Sequence, residues 1–406
     1  MTHDDIRTLL KRRTNPKHWR QQERTLYAEL SKLDNFYCDR VEWCYPIKLL
    51  GLKRHNDQYF VDMTNDIMRV AQDRNIEFSA YYHPFGILWK EAYDEWEGRN
   101  HLMFHCDQVR YSDEFFEFVR THPEMKVVVF SCQYLPDSNQ GLENLRIIHW
   151  GSDYLLQKEE YQNINMIEKS FAASYHWISL SHNSKLARWM AALYLKGLGL
   201  DTSGWLSINI PTDDWRTHCQ QYWPPLPDDD SRYGSIFEIG ANRSKEHNIN
   251  PPSQIYTTTN GNAENLDLRL RPMYANSAVE IVNESTFDFK FGIHMTEKFI
   301  NSVYGMNLPI VLGQPGIVKY CRALGFDMFD DVVDQSYDLI VSPLDRLTAA
   351  IDRNRNLLED RGFAIAAWHR CQPRLQANYE LARHRLHDQV YNRVVSEVPA
   401  ALDFLS

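Results

Sequence analysis

The segment ISLSHNSKLAR, residues 178–188, combines the side chains of a phosphate site. Its pattern predicts a strand that ends in polar residues, among them Asn183, and a helix that carries Arg188. The N–H groups at the start of a helix have no partner within the helix, so they point outward toward an anion. A guanidinium adds a fork of donors that matches phosphate oxygens. The segment therefore predicts that Asn183 and Arg188 contact a phosphorylated ligand.

A second group of polar residues follows the later strand VEIVNES, residues 279–285. This strand ends with Asn283 and Glu284, and the segment IHMTEKF then opens a helix with Thr296 as its cap and with Glu297 and Lys298 in the first turn. A carboxylate in the first turn suits the helix dipole, and it can accept the two hydroxyls of a ribose. The adjacent lysine supplies positive charge to a diphosphate. Together these residues predict a cradle for a nucleoside diphosphate.

The sequence contains no glycine-rich phosphate loop. Neither GxGxxG nor GxxxxGK[ST] occurs, which argues against the usual dinucleotide and P-loop sites. The acidic run at 228–230 follows WPPLP without a preceding strand, and this favours an exposed turn over a metal site. We expect no metal ion and no cofactor; the nucleotide is expected to enter as part of a substrate.

Composition and charge limit the class of protein. Apolar residues make up 43% of the 406-residue chain and aromatic residues 13%, which predicts a globular protein of two domains. The net charge of −10 disfavours an extended surface for nucleic acid. Seven scattered cysteines without a CxxC pair argue against a disulfide framework and a zinc site. The charged amino terminus and the lack of a long apolar window predict a cytoplasmic protein without a membrane span.

Short apolar runs alternate with helical patterns along the chain, which predicts parallel sheets covered by helices. In the first half, a helix is predicted at 113–123 and strands at 76–84, 101–108, 126–134 and 145–153. The pattern restarts with a strand and a helix within 175–200, continues with strands at 205–210 and 277–285, and ends in a helical tail from Leu344. Ligands of such folds bind at the carboxyl ends of the strands.

The second half resembles the alpha-1,3-fucosyltransferases of the GT-B fold in the stretch VNES followed by HMTEKFINSVYGMNLPIVLGQPG. In that family an Asn-Ser strand end precedes a Tyr-x-Thr-Glu-Lys segment, a helix and a Pro-Val-Val-Leu-Gly strand. Asn283 and Ser285 match the strand end, Thr296–Lys298 match the Thr-Glu-Lys, and Pro309–Gly313 match the later strand. An arginine on an upstream helix contacts the donor diphosphate in that family, which implies this role for Arg188.

The chain also departs from the family pattern. His294 stands where the family has tyrosine, and we expect it to line the donor pocket with Asn283. The interval between Asn283 and Glu297 is longer than in the family, so TFDFKFG (286–292) is expected to be an insertion. The stretch YCRALGFDMFDDVVDQSYDLI is similar to uncharacterised glycosyltransferase-like proteins of bacteriophages and marine bacteria. The resemblance covers residues 175–345.

This resemblance implies two Rossmann-like domains that face each other across a cleft. The predicted division is an amino-terminal helical segment at 1–35, an acceptor-side domain at 36–174, a nucleotide-sugar donor domain at 175–345 and carboxyl-terminal helices at 346–406. The implied reaction is an inverting, metal-independent transfer of a sugar, of the hexosyltransferase or fucosyltransferase type, from a nucleotide-diphosphate donor to a hydroxyl acceptor. The implied location is the cytoplasm of a bacterial cell or of an infected host.

The acceptor side of the site is less well specified. Inverting transfer needs a general base, and the candidates are Asp107 and Asp153, which follow predicted strands of the first half. The acceptor is either a glycan or a modified base in DNA, since phage DNA glucosyltransferases share this architecture. Two other classes stay open: a sugar epimerase of GT-B shape, and a catalytically silent binding or virion-associated protein. The sequence does not predict the oligomeric state.

Overall fold

The structure is a computed structural model of the chain. It describes residues 45–46, 67, 79–83, 86–87, 100–105, 109–110, 113–135, 141–151, 164–181, 186–207, 270–285, 287 and 292–405. The predicted amino-terminal helical segment (1–35) and the acidic run at 228–230 lie outside these residues.

The chain forms two compact units, and each unit draws on separate parts of the sequence. The first unit contains residues 1–157, 290–292 and 388–406. The second unit contains residues 158–289 and 293–387. The four predicted segments stay a prediction.

The first unit is built on a mainly parallel sheet. Its strands are β1 (Tyr45–Pro46), β2 (Ser79–His83), β4 (His101–His105), β6 (Val127–Ser131) and β7 (Leu145–His149), in the order β1-β2-β4-β6-β7. Strand β1 is antiparallel to β2, and the other neighbours are parallel. A separate parallel pair joins β3 (Gly86–Ile87) and β5 (Val109–Arg110).

Helix α1 (Asp113–Thr121) covers this sheet because its apolar residues recur at helical spacing. Phe115 and Val119 are fully buried, and both belong to the core cluster that contains β6 residues. All five residues of β6 are buried as well. An unbroken apolar run of this kind is typical of a parallel strand that is covered on both faces.

The second unit contains a sheet whose described strands are all parallel. Its strands are β8 (Trp177–Leu180), β9 (Gly204–Ser207), β10 (Val279–Asn283) and β11 (Leu308–Leu312), in the order β11-β10-β8-β9. Its helices are α2 (Leu186–Gly197), α3 (Arg271–Asn276), α4 (Glu297–Tyr304), α5 (Ile317–Ala323), α6 (Pro343–Arg353), α7 (Arg355–Glu359) and α8 (Arg361–Glu380).

The order of these strands creates a switch point between β8 and β10. Strand β8 leads through α2 to β9 on one side, whereas β10 leads through α4 to β11 on the other side. Right-handed crossovers in opposite directions place α2 and α4 on opposite faces of the sheet. In agreement, α6 packs on α2, and α8 packs on α4. Ligands of open parallel sheets bind outside the carboxyl edge at such a point.

A hydrogen bond joins the two strands that flank the switch point. Asn283 Nδ2, at the end of β10, donates to Ser179 Oγ of β8 at 2.8 Å. Both side chains are buried. The bond satisfies two polar groups in the interior and fixes the carboxyl ends of β8 and β10 side by side.

The chain ends in helix α9 (Leu386–Leu405), most of which belongs to the first unit. Asn100 Nδ2 donates to the carbonyl of Leu405 at 2.6 Å. Arg393 Nη2 donates to the carbonyl of His149, at the end of β7, at 2.7 Å. These bonds tie the end of the chain to the sheet of the first unit.

Arg346 of α6 lies inside the second unit with only 1% of its surface exposed. Its guanidinium donates to four carbonyls: Gly313 (2.9 Å), Ile340 (2.5 Å), Val341 (3.0 Å) and Phe287 (2.7 Å). A guanidinium has five donors and no acceptor, so it suits a place where several carbonyls meet. Arg346 thereby ties the end of β11 to the start of α6.

The structure confirms the α/β class, with parallel sheets and carboxyl-terminal helices. The strands predicted at 126–134 and 145–153 are present but end earlier, at Ser131 and His149. The apolar residues Leu339 and Val341 lie in the turn region before α6 and are 69% and 66% exposed. Among the described residues, no helix is both long and apolar enough to cross a membrane.

Replacing Arg346 with methionine should destabilise the protein by about 3 kcal/mol or more, because a buried carbonyl left without a donor costs roughly 1–3 kcal/mol. Chemical denaturation measures the change in the free energy of unfolding. Arg322→Met is the control, since Arg322 forms a half-exposed ion pair with Asp330, and loss of such a pair costs less than about 1 kcal/mol. Equal stability of the two variants would contradict the role assigned to Arg346.

Candidate functional site

Helix α4 begins after Thr296, whose side chain closes its first turn. Thr296 has an extended backbone, and its hydroxyl accepts from the N–H of Lys298 at 3.4 Å. This is the N-cap arrangement favoured by threonine. Further along, the helix buries Phe299, Ile300 and Val303. Packing therefore holds the helix, while its first turn lies at the carboxyl edge of the sheet.

Glu297 and Lys298 form an ion pair in this first turn. Lys298 Nζ lies 2.6 Å from Glu297 Oε1, and the two side chains are 17% and 18% exposed. The pair is therefore shielded from bulk water but still reachable from the surface. Partial shielding of this kind strengthens electrostatic attraction relative to a fully solvated pair.

Arg188 and Lys298 converge on the hydroxyl of Ser285, which follows β10. Arg188 Nη2 and Lys298 Nζ each donate to Ser285 Oγ at 3.4 Å. Arg188 lies in the first turn of α2 and is 4% exposed. Two helices on opposite faces of the sheet thus bring one cation each to the same point beside the switch between β8 and β10.

The carboxylate of Glu284 holds the cap of α4. Its two oxygens accept from the N–H of Thr296 at 3.3 and 3.2 Å, and Oε2 also accepts from the Thr296 hydroxyl. Glu284 is 3% exposed and directly follows β10. The sequence places Glu284 at the strand end, but nothing in the local pattern indicates that it binds a residue twelve positions later.

Burial and charge shift the pKa values of the two carboxylates in opposite directions. For Glu297, burial favours the neutral acid, but Lys298 and, to a smaller extent, Arg188 outweigh burial and lower its pKa. For Glu284, burial raises the pKa, and the opposing effects of Lys298 and Thr296 are smaller. Glu297 therefore stays ionised at neutral pH, whereas Glu284 binds a proton more readily than an exposed glutamate.

A neighbouring helix start in the second unit is already occupied by a protein carboxylate. The N–H groups of Val318 and Lys319, at the start of α5, donate to the two oxygens of Asp338 at 3.0 Å each. An anion would otherwise be attracted to these N–H groups. The start of α5 is therefore a structural contact, although it directly follows the β11 loop.

Asn283 and His294, which were predicted to line a donor pocket, lie in the interior. Asn283 is 4% exposed and bonded to Ser179, and His294 is fully buried. The backbone N–H of His294 donates to Gln314 Oε1 at 2.9 Å. Both residues thus help to hold the loops around the site, and a direct contact with a ligand stays a prediction.

Three further predicted residues lie outside the described part of the chain: Asn183, Asp107 and Asp153. The structure brings together Arg188, Thr296, Glu297 and Lys298 with Glu284 and Ser285, the two residues that follow β10. The ligand-binding role of these residues stays a prediction.

A separate depression of about 660 Å³ lies in the second unit between α5 and the turns that precede α6. It shares no residue with the group around Ser285. Four aspartates face two cations along its wall, and one of these cations, Arg322, is paired with Asp330. The acidic lining makes it a poor site for a diphosphate. The residues around Ser285, beside the switch point, are therefore the better candidate for a diphosphate site.

Comparisons with known proteins leave the family of this chain open. No model of a protein family matches it, and no curated protein matches it either. Among solved structures, the chain is similar to alpha,alpha-trehalose 6-phosphate synthase from Burkholderia multivorans, with 11% identity and a TM-score of 0.31. That match covers 87% of this chain and 79% of the synthase chain. A likeness this distant assigns neither a family nor an activity.

Lys298→Met should raise the pKa of Glu297, because the largest attraction that favours its ionised form disappears. Carboxyl ¹³C NMR titration measures this pKa directly. A carboxylate with a lowered pKa stabilises the fold above its unfolded pKa of roughly 4.5, and that stability is lost as the pH falls. The stability advantage of the wild type over Lys298→Met should therefore shrink in acid.

Lys126→Met, in the first unit, is the control for this titration. It removes the same charge at a distant place in the sequence and should leave the pKa of Glu297 unchanged. An unchanged pKa in Lys298→Met as well would mean that the ion pair does not form in solution.

Proposed function

We propose that this protein is a glycosyltransferase that binds the diphosphate of a nucleotide-sugar donor between Arg188 and Lys298. The observation that carries the proposal is the convergence of these two cations on Ser285, at the carboxyl edge of a parallel sheet and beside its switch point. Open parallel sheets bind their ligands at this position.

The geometry at Ser285 suits an anion better than a hydroxyl. Each cation lies 3.4 Å from Ser285 Oγ, whereas charge-assisted bonds from nitrogen to an anionic oxygen are about 2.7–2.9 Å long. A phosphate oxygen placed between Arg188 and Lys298 would therefore gain two shorter and stronger bonds. The positive end of the helix dipole at the start of α4 adds to this attraction.

The same arrangement fits the chemistry of sugar transfer. An acceptor hydroxyl attacks the anomeric carbon, its proton passes to a base, and the bond from that carbon to the phosphate oxygen breaks. Negative charge then builds up on the leaving diphosphate. Cations held in a shielded place stabilise this charge without having to reorganise during the reaction. Arg188 is 4% exposed, and it meets that condition.

Glu297 is assigned to the ribose of the donor. Its lowered pKa keeps the carboxylate ionised at neutral pH, so it only accepts hydrogen bonds. Two adjacent ribose hydroxyls supply two donors. Because Lys298 stands next to Glu297 in the chain, the distance between ribose and diphosphate contacts is set within one helical turn.

The finer assignments rest on the resemblance of residues 175–345 to the alpha-1,3-fucosyltransferases. They are a GT-B arrangement, inversion at the anomeric carbon and independence of a metal ion, while the acceptor is a glycan or a modified base in DNA. The catalytic base does not rest on this resemblance: Asp107 and Asp153 are its candidates because they follow predicted strands of the first half. No observation on the described residues favours a DNA acceptor over a glycan.

Binding of UDP, GDP, ADP and CDP, measured by calorimetry, tests the proposal. One of the four should bind clearly more tightly than the others. Arg188→Ala and Lys298→Ala should each weaken that nucleotide by about 1.5–3 kcal/mol, or roughly 10- to 150-fold, because each variant removes a charge-assisted hydrogen bond. Incubation with the matching nucleotide sugars should release the same nucleoside diphosphate, which chromatography detects.

Arg322→Ala is the matched control, because it removes an arginine of the second unit that is paired with Asp330 away from Ser285. It should bind the nucleotide like the wild type. Thermal unfolding checks that all three variants are folded. The proposal fails if no nucleoside diphosphate binds, or if folded Arg188→Ala and Lys298→Ala bind as the wild type does.

A further inference from the structure

Glu284 is a buried carboxylate that donor binding, as proposed above, does not use. It is 3% exposed, and its N–H donates to the carbonyl of Leu312 at 2.8 Å, which extends the pairing of β10 with β11 by one bond. The backbone of Glu284 is thus fixed by the sheet. A buried charge is costly unless it is paired and hydrogen-bonded, so its position calls for a specific purpose.

The partner of Glu284 is the residue that directs Lys298. The carboxylate accepts from both the N–H and the hydroxyl of Thr296. A hydroxyl has one hydrogen, so donation to Glu284 leaves only its lone pairs for other contacts. The lone pairs accept from the backbone N–H of Lys298 at 3.4 Å and from Lys298 Nζ at 3.3 Å.

A continuous chain of hydrogen bonds therefore runs from the end of β10 to the cation of α4. Glu284 fixes the hydroxyl of Thr296, and this hydroxyl in turn orients the ammonium of Lys298. The ammonium also reaches Ser285, where Arg188 arrives from α2. Without the carboxylate, the hydroxyl of Thr296 could turn its hydrogen toward Lys298 and lose both contacts.

We propose that Glu284 is a positioning residue of the diphosphate site, which acts through Thr296 to hold Lys298 toward Arg188. This inference rests on the proposed donor site, and it adds a residue that does not itself touch the ligand.

The position of Glu284 also has an electrostatic consequence. Arg188 and Lys298 carry two positive charges, and Glu284 and Glu297 carry two negative charges, so the empty site is neutral when all four are ionised. An incoming diphosphate therefore adds uncompensated negative charge next to Glu284. Added negative charge favours the protonated acid, so ligand binding should be accompanied by proton uptake at Glu284.

Other charged groups near Glu284 also influence its pKa. Lys298 favours its ionised form, whereas Glu297 of α4 and Glu280 of β10 disfavour it. Cys321 of α5 also lies within electrostatic reach. Burial already raises the pKa of Glu284, and the negative charge of a bound ligand acts in the same direction.

Two variants separate positioning from charge. Glu284→Gln keeps an oxygen that accepts from Thr296 but removes the negative charge. It should bind the ligand at least as tightly as the wild type near pH 8, with a weaker dependence on pH. Glu284→Met has a similar length but no acceptor, and it should bind about tenfold more weakly or worse.

Thr296 provides a second pair of variants at the other end of the contact. Thr296→Val keeps the shape but lacks the hydroxyl, so it should weaken binding about as much as Glu284→Met. Thr296→Ser keeps the hydroxyl and should bind the ligand about as tightly as the wild type. These variants also cover the case in which Glu284→Met fails to fold.

Calorimetry with inorganic pyrophosphate and with the preferred nucleoside diphosphate measures all of these effects. Titrations near pH 6 and pH 8, in two buffers with different heats of ionisation, give the number of protons taken up. On ligand binding, the wild type should take up more protons than Glu284→Gln. Subtracting the two numbers removes the contribution of protons that the ligand itself releases. A carboxylate remote from the bound ligand would not produce this difference.

The outcomes distinguish this inference from the proposed function. Binding of pyrophosphate without binding of any nucleotide refutes the donor assignment. In that case the affinities of the Glu284 variants for pyrophosphate still test the positioning role. Binding of nucleotides with equal affinities for wild type, Glu284→Gln and Glu284→Met refutes the positioning role alone. Equal weakening by both variants also refutes it, whereas equal proton uptake by wild type and Glu284→Gln refutes the electrostatic coupling of Glu284 to the ligand. Binding of neither ligand refutes both.

Discussion

The second unit depends on the side-by-side pairing of β8 and β10, two parallel strands whose crossovers run in opposite directions. This pairing decides which helix starts become neighbours. Arg188 and Ser285 are separated by 97 residues, yet they meet because α2 and β10 share one edge of the sheet. The buried bond from Asn283 to Ser179 fixes that edge. The site is thus a consequence of strand order, and the helices only supply side chains to it.

Two lysines of the second unit, Lys169 and Lys298, differ in the groups that surround their ammonium nitrogens. Lys169 donates to the carbonyls of Tyr274 and Ser277 at 2.6 Å each and also to Asn307, so its ammonium is used for structure. Lys298 instead contacts one carboxylate and two hydroxyls, and 17% of its side chain is exposed. Hydroxyls are weaker partners for a cation than anions are. A ligand can therefore improve the surroundings of Lys298, whereas it would have to break good bonds to reach Lys169.

The sequence predicts elements whose signal is local and the edge at which parallel strands end, but it does not predict individual side-chain contacts. The apolar run at 127–130 and the cap at Thr296 are predicted correctly because both signals lie in adjacent residues. An unbroken apolar run indicates a parallel strand covered on both faces, and a threonine before a helical pattern indicates a cap. The convergence of Arg188 with Lys298 follows from the rule that parallel strands end at one edge. The contact between Glu284 and Thr296 has no local signature. The carbonyls of Ile340 and Val341 accept from Arg346 in the turn before α6, and no sequence pattern indicates these contacts either.

In helix α4, the residues proposed to contact a ligand are separate from the residues that pack. Glu297 and Lys298 stand in the first turn, and the rest of the helix leads to the buried strand β11. Phe299, Ile300 and Val303 are buried, and their packing keeps α4 in place whatever stands in its first turn. The first turn itself is where backbone N–H groups lack partners within the helix, so polar side chains are needed there in any case. Because the positive end of the helix dipole attracts an anion at the same place, a residue such as Glu284 that organises the cap also organises the site. Stability of the cap and affinity for a ligand are therefore linked through one carboxylate.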